Sequence, residues 1–237
     1  MLEDTIESTK IYTQVFPMEW IEIGPRTFSS HAQHVANLAK PQPAASIGGV
    51  ELFLPPNVYH PGIGLSSSLL VDALLSENMG RTVLDLGCGS GFVGISLYCQ
   101  GMDLVLADIS NASISSTTEN LRRIGIPGRV ILSDLFSNLK GMRFDTILFN
   151  PPLFDKTVEH EAEIALCDPN GDLLTRFLTE ASQHLTSKGC IYFMASNLMN
   201  REALLSGLGS YRYKIISSSF STQSEVSRWI VSARSKH

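Results

Sequence analysis

The stretch Val83-Leu84-Asp85-Leu86-Gly87-Cys88-Gly89-Ser90-Gly91-Phe92 decides the fold. Thr82 to Leu86 is a short apolar run, the mark of a strand buried inside a sheet. Three glycines follow at alternate positions. Glycine turns sharply and lets a ligand approach the main chain closely. Phe92 to Cys99 then reads as a helix packed on the sheet. Strand, glycine loop and helix N-terminus together form the ligand crevice of a doubly wound α/β fold. The spacing is G-x-G-x-G with Gly94 three residues further on, which differs from the dinucleotide fingerprint. Asp85 stands just before the loop, where a pyrophosphate would gain nothing from a carboxylate.

The same strand-to-polar-end pattern repeats downstream. Asp103 to Ala107 reads as a second strand ending in Asp108. An acid about 20 residues beyond the glycines is placed to bind ribose hydroxyls. A helix is expected from Ala112 to Ile124, capped by Ser110 or Asn111 and ended by Gly125. A third strand, Arg129 to Ser133, ends in Asp134, and a fourth, Phe144 to Phe149, runs into Asn150. The polar strand ends fall on one edge of the sheet, where open α/β sheets bind ligands. Taken singly, each acid reads equally well as a helix cap or a solvated strand end. The ordered set carries the ligand reading.

Asn150-Pro151-Pro152-Leu153 is the more specific chemical signal. Two prolines stiffen the backbone and remove two N–H donors. The Asn150 side-chain oxygen and the Pro151 carbonyl remain as acceptors. Such a pair can take both hydrogens of a planar NH2 group and aim the nitrogen lone pair at an electrophile. An amide or exocyclic amino nitrogen is a weak nucleophile, so placement and polarisation must do much of the work. Standing alone, Asn-Pro is also a common turn signal.

With both motifs in hand, the chain resembles the Asn-Pro-Pro group of class I S-adenosylmethionine-dependent methyltransferases. This group includes release-factor glutamine methyltransferases, small-domain ribosomal RNA guanine methyltransferases and DNA adenine methyltransferases. The resemblance covers about residues 47 to 236. It implies a Rossmann-like α/β sheet of seven strands with terminal antiparallel strands, and S-adenosylmethionine as cofactor. It places Asp85, Gly87, Gly89, Gly91, Asp108, Ile109, Asp134, Leu135 and Asn150 at the cofactor, with Asp85 facing the methionine part, Asp108 the ribose and Asp134 the adenine. It makes Asn150, Pro151 and Pro152 the catalytic motif. Cys167-Asp168-Pro169-Asn170-Gly171-Asp172 is similar to a glycine-containing turn that starts the next helix in the glutamine methyltransferases. The fourth motif position is Leu153, where the group usually has an aromatic residue. Phe154 follows at the next position.

The remaining segments fit this frame. Residues 1–46 read as an N-terminal extension and 47–237 as the methyltransferase domain. Within the extension, Ser29 to Leu38 reads as a helix, Trp20, Ile21, Ile23 and Phe28 add apolar bulk, and Lys40 to Ala45 reads as a linker. The extension is expected to cover the substrate opening or to serve as plain cladding. Val50 to Leu54 reads as a strand, Pro55, Pro56 and Pro61 as a rigid loop, and Leu65 to Leu75 as a helix. Tyr59, His60, Leu153 and Phe154 are the expected substrate contacts. Further on, apolar residues from Leu173 to Leu185 recur at helical spacing. Cys190 to Ala195 is a fifth strand, and Tyr213 to Phe220 and Arg228 to Ala233 are the final pair.

Composition narrows the function. The chain has 237 residues, enough for one large core, and no apolar run of transmembrane length. Its four cysteines form no C-x-x-C pair, which points to free thiols in a cytoplasmic protein and to no metal centre. His160-Glu161-Ala162-Glu163 reads as a solvated helix face. The net charge of −5 and scattered Arg122, Arg123, Arg129, Lys140 and Arg143 do not favour a nucleic-acid partner, though a local patch permits one. Acidity, Leu153 and the short extension favour a small amine, amide or amino-acid-like metabolite, or a peptide nitrogen, as methyl acceptor. The alternatives are a protein glutamine or an RNA base, and a non-catalytic relative that binds cofactor or partner. An intact Asn150-Pro151-Pro152 speaks against the last. Oligomeric state is left open.

Overall fold

A computed structural model of the chain describes residues 6–9, 16, 20, 24–38, 44–62, 65–160 and 163–236. The expected linker residues 40–43, the apolar Ile21 and Ile23, and Glu161 and Ala162 lie outside the described residues. The strands are β1 (Ile6–Thr9), β2 (Ser46–Ile47), β3 (Val50–Glu51), β4 (Thr82–Leu86), β5 (Asp103–Asp108), β6 (Arg129–Leu132), β7 (Phe144–Phe149), β8 (Leu185–Ser196), β9 (Tyr211–Ser221) and β10 (Val226–Ser235). The helices are α1 (Pro25–Leu38), α2 (Ser66–Leu74), α3 (Phe92–Ser96), α4 (Asn111–Ile124), α5 (Asp172–Glu180) and α6 (Arg201–Leu208).

One mixed sheet runs in the order β1-β9-β10-β8-β7-β4-β5-β6. From β8 to β6 all neighbours are parallel, and β10 and β9 are antiparallel. These are the seven strands expected from the sequence, closed by the antiparallel pair. An eighth, β1, comes from the N-terminal segment and pairs with β9. Parallel strands need crossover helices, so both faces are covered and the strands read as continuous apolar runs. Along β4 and β7 the side chains alternate between two cores. Leu84, Ile147 and Phe149 face a core with Phe177 and Phe193, while Val83 and Leu148 face one with Leu70, Leu74 and Leu104.

Several boundaries differ from expectation, for identifiable reasons. α3 stops at Ser96 instead of reaching Cys99. A turn follows, with Met102 N–H donating to Cys99 and Gly101 at φ +91°, and it feeds the chain into β5. The strand expected over Val50–Leu54 is only β3, in a short hairpin with β2, because α4 side chains take the Phe53 backbone: its N–H donates to Asn120 Oδ1 at 2.6 Å and its carbonyl accepts from Ser116 Oγ at 2.5 Å. α1 begins four residues earlier than read, at Pro25, a favoured first helical position. α6 was not anticipated, although Asn200 caps it by accepting from Ala203 N–H at 2.9 Å. α4 matches its expected caps: Ser110 accepts from Ser113 N–H, and Gly125 closes the helix at φ +77°.

Phe177 on α5 is fully buried, with its ring 4.4 Å from Phe149 and 6.1 Å from Phe193 between centroids. It joins the helix layer to β7, which runs into the Asn-Pro-Pro motif, and to its neighbour β8. Phe177→Ala is expected to destabilise the chain by about 3–5 kcal/mol, the usual cost of deleting a buried aromatic ring. Urea unfolding measures this, and a loss under about 1 kcal/mol contradicts it.

Candidate active site

The glycine loop is shaped by what its residues must avoid. Gly87, Gly89 and Gly91 all take positive φ, between +56° and +79°, which disfavours any side chain. A Cβ on Gly89 would meet nothing within 4 Å, so open space for a ligand lies against its backbone. Gly91 stands apart from the cavity wall. It starts α3, and a Cβ there would strike Ile95 at 2.9 Å. Packing against Ile95 and Thr117 therefore requires a glycine here. Gly94 was noted only for its spacing, yet it decides the geometry. A Cβ on it would lie 2.9 Å from Asp85, and its N–H donates to Asp85 Oδ2 at 2.8 Å.

Asp85 is 3% exposed and lines a cavity of about 900 Å³ at the carboxyl edge of the sheet. Burial pushes its carboxyl up to about 7, against the Gly94 N–H that favours the charge, and nearby Asp108 adds to the rise. Such a group gains most from a cation. Asp108, at the end of β5, accepts from Gly89 N–H at 2.9 Å through Oδ2 and from Ser110 N–H at 2.8 Å through Oδ1. It therefore holds the loop as well as lining the cavity. Asp134 sits at the exposed rim, paired with Arg176 at 3.0 Å, beside Leu135 at φ +44°. Ile109, 62% exposed, completes this end. Thr117 and Asn120 of α4, which sequence reasoning passed over, brace the loop. They donate to the Gly89 and Ser90 carbonyls, each at 2.9 Å.

Asn150 ends β7 with its amide locked. Its Nδ2 donates to Ser66 Oγ at 3.2 Å and Ser67 Oγ at 3.0 Å, both buried at the start of α2. Its Oδ1 is buried with no hydrogen-bond partner among the described residues. Pro151, Pro152, Leu153 and Phe154 continue the cavity wall. An orphaned buried acceptor costs about 1–3 kcal/mol, so it persists where a ligand donor completes it. Ser66 and Ser67 were missed because a serine at a helix start reads as a cap. Their role shows only when β7 comes alongside.

Of the expected substrate residues, Tyr59, Leu153 and Phe154 reach the cavity and His60 does not. His60 is 1% exposed, and its Nδ1 accepts from Gly62 N–H at 2.9 Å, a turn-holding role. Tyr59 Oη lies 3.4 Å from Ser66 Oγ. From the N-terminal segment, Thr27, Ser30 and His31 of α1 stand in the wall, with the His31 ring 4.5 Å from that of Phe154. Glu163 corrects the solvated-face reading of residues 160–163: it is 3% exposed. It takes His31 Nε2 at 3.1 Å and Lys156 Nζ at 3.0 Å on Oε1, and two backbone N–H groups on Oε2. Burial pushes its carboxyl up, but these donors prevail and hold it at about 2. Cys167 joins this group, Sγ to His31 Nε2 3.9 Å, with its thiol pushed up to about 11 by burial. His31, Glu163 and Cys167 bring their ligand atoms within 4.8 Å of one another, a set that could hold a metal ion.

A family model described as methyltransferase small domain matches residues 50–220. The chain belongs to the methyltransferase small domain family. It is 28% identical over 198 residues to the ribosomal RNA small subunit methyltransferase C of Alcanivorax borkumensis, covering 83% of this chain and 54% of that protein. It thus spans about half the length of that relative. It is 36% identical over 130 residues to the ribosomal protein uL3 glutamine methyltransferase of Francisella tularensis, covering 49% of this chain and 41% of that one. A Methanocaldococcus jannaschii relative, provisionally named a protein N5-glutamine methyltransferase, is 28% identical and covers 71% of this chain and 87% of its own. The structure of the T. thermophilus 16S rRNA N2 methyltransferase with AdoMet and guanosine shares the fold. Its TM-score is 0.61 at 23% identity, covering 84% of this chain and 53% of that one.

S-adenosylmethionine is the cofactor of this small-domain methyltransferase. The wall fits it: a buried acid for its cationic end, a second acid and the loop backbone beyond, and open space at Gly89. Among the described residues, no helix is long and apolar enough to cross a membrane.

Two outcomes follow from this geometry. With its pKa near 7, Asp85 holds a proton in mildly acid solution, and a cationic ligand must displace it. S-adenosylmethionine affinity is therefore expected to rise with pH from about 5.5 to about 7.5, and Asp85→Asn to flatten that rise. Calorimetry across that range checks it, and an unchanged slope in the variant contradicts it. Removing both serine hydroxyls in Ser66→Ala/Ser67→Ala unlocks the Asn150 amide. Methyl transfer is expected to fall by roughly tenfold to a hundredfold with cofactor affinity kept, as when an active-site group is misplaced. A normal rate would show that the serines only pack.

Proposed function

We propose that the chain transfers a methyl group from S-adenosylmethionine to the nitrogen of a planar NH2 group on an RNA base. The single observation that carries the reading is Asn150 Oδ1, a buried acceptor without a partner, aimed by two serines that hold its amide nitrogen. When bound, the cofactor supplies an electrophilic methyl on a sulfonium. Asn150 Oδ1 accepts one N–H of the acceptor, and the Pro151 carbonyl takes the other. Two acceptors on two hydrogens fix the plane of the NH2 group and raise the electron density on its nitrogen. No strong base is required at first contact: the S–CH3 bond would break as N–CH3 forms, leaving a neutral thioether, and the surplus proton of the nitrogen would pass to solvent. The mostly apolar wall of Leu153 and Phe154 excludes water from the acceptor.

The ribosomal RNA relative supports a base as acceptor, since its match covers most of this chain. A glutamine carboxamide is the second reading. It presents the same planar NH2, and the Methanocaldococcus relative matches over most of both chains. None of the relatives named above is named for a small metabolite, so that preference finds no support in them. Residues 1–46 we read as a cover over the substrate end, supported by Thr27, Ser30 and His31 in the wall.

Asn150→Ala is expected to keep the fold and most of the S-adenosylmethionine affinity, because the acids at the ends of β4 and β5 stay in place. The methylation rate is expected to fall by roughly a hundredfold or more, as for loss of one preorganised polar group. Radiolabel transfer from the cofactor to ribosomal RNA and to a glutamine peptide measures this. A normal rate on either substrate in the variant overturns the assignment of Asn150.

A further inference from the structure

Charge is ordered along the carboxyl edge of the sheet. Reading from β6 toward β10, the cavity wall carries Asp134, Asp108 and Asp85, then Asn150, and two strands later Arg228. The acids suit a cationic cofactor. The arginine stands on the other side of the methyl-accepting position. Arg176, the other arginine in the wall, is exposed and stands at the opposite, Asp134 end.

We propose that Arg228 is the anion-binding residue of the substrate subsite and takes a phosphate of the nucleotide whose base is held at Asn150. This rests on the N-methylation reading and names the chemical class of the acceptor. The sheet register places the residue. Phe149, just before Asn150, is opposite Phe193 of β8, and Ser196, three residues further along β8, is opposite Arg228 of β10. Arg228 is thus two strand spacings from Asn150, about 10 Å sideways, and displaced toward the ligand edge. A nucleotide bridges such a span between its base edge and its phosphates. Tyr59 links the two points. It lines the same cavity as Arg228, and its hydroxyl lies 3.4 Å from the Ser66 Oγ that holds Asn150.

The chemistry around Arg228 fits a phosphate. Ser30 and Tyr59 line the same cavity, as do Ser221, Ser224 and Thr27, where Ser224 Oγ donates to Ser221 Oγ at 2.7 Å and Thr27 Oγ1 to the Ser224 carbonyl at 3.0 Å. A guanidinium matches phosphate oxygens with two parallel N–H groups, and hydroxyls can donate to the third oxygen. A glutamine side chain within a peptide carries no charge near its carboxamide, so this cation would add nothing to its recognition. The cofactor also has a carboxylate, and the experiment separates that use from the proposed one.

The test uses the full chain saturated with S-adenosylhomocysteine. Guanosine and adenosine are titrated by calorimetry, each as the nucleoside and as its 3′,5′-bisphosphate. At least one bisphosphate is expected to bind tenfold or more tightly than its nucleoside. Arg228→Ala is expected to shrink that gap to threefold or less, and Arg228→Lys to keep part of it. Retained S-adenosylhomocysteine affinity shows that each variant is folded. Absence of a phosphate preference, or a full gap in Arg228→Ala, overturns the proposal. So does a tenfold loss of S-adenosylhomocysteine affinity in both variants, which assigns the residue to the cofactor carboxylate. Nitrogen methylation of a glutamine peptide with no nucleotide preference also overturns it, while leaving the N-methyltransferase reading intact.

Discussion

The hydrogen bond from Gly94 N–H to the buried Asp85 carboxylate ties the glycine loop to the sheet. It exists because residue 94 has no side chain. A Cβ there would meet Asp85 at 2.9 Å and push α3 away from the end of β4. With the helix seated, the loop between them takes its three positive φ values, and Asp108 draws in the Gly89 N–H from the neighbouring strand. The result is an acid held out of water beside open backbone. Its cost is a carboxylate deprived of solvent, and a cationic ligand offsets that cost.

The second constraint lies one strand away. Asn150 has four hydrogen-bonding positions, and the protein satisfies the donor side through Ser66 and Ser67. The acceptor side is buried without a partner among the described residues, and the proposed reading gives it to the substrate. An amide that was free to rotate would present donor and acceptor alike and would lose discrimination for NH2 hydrogens. Two hydroxyls on the first turn of α2 remove that freedom. Tyr59, with its hydroxyl 3.4 Å from Ser66 Oγ, extends the same network. In the proposed reading, cofactor and methyl acceptor occupy different stretches of one sheet edge.

Much of this was legible in the sequence because parallel strands buried on both faces are written as unbroken apolar runs. β4 and β7 were placed to the residue, and β5 and β6 to within one at their ends. Ser110 and Gly125 fixed α4 for the same reason: caps are local chemistry. What escaped depends on contacts distant in sequence. Glu163 lies in a polar run, and only the approach of His31 and Lys156 makes it buried and charged. His60 reads as a substrate contact in its loop, but its Nδ1 accepts from Gly62 N–H and it lies outside the cavity lining. The serines at 66 and 67 look like a helix cap until a residue more than eighty positions later docks on them. β1 is four residues whose pairing is set wholly by the exposed edge of β9.

The most direct test is the atom that receives the methyl group. Ribosomal RNA and ribosomal protein, labelled with ¹⁵N and made in cells lacking this chain, would be incubated with it and cofactor carrying a ¹³C-methyl group. The digested products would be read for one-bond ¹³C–¹⁵N coupling. The account predicts such coupling on the exocyclic nitrogen of an RNA base. A methyl on oxygen, carbon or sulfur, or no transfer to either fraction by active folded protein, would contradict it.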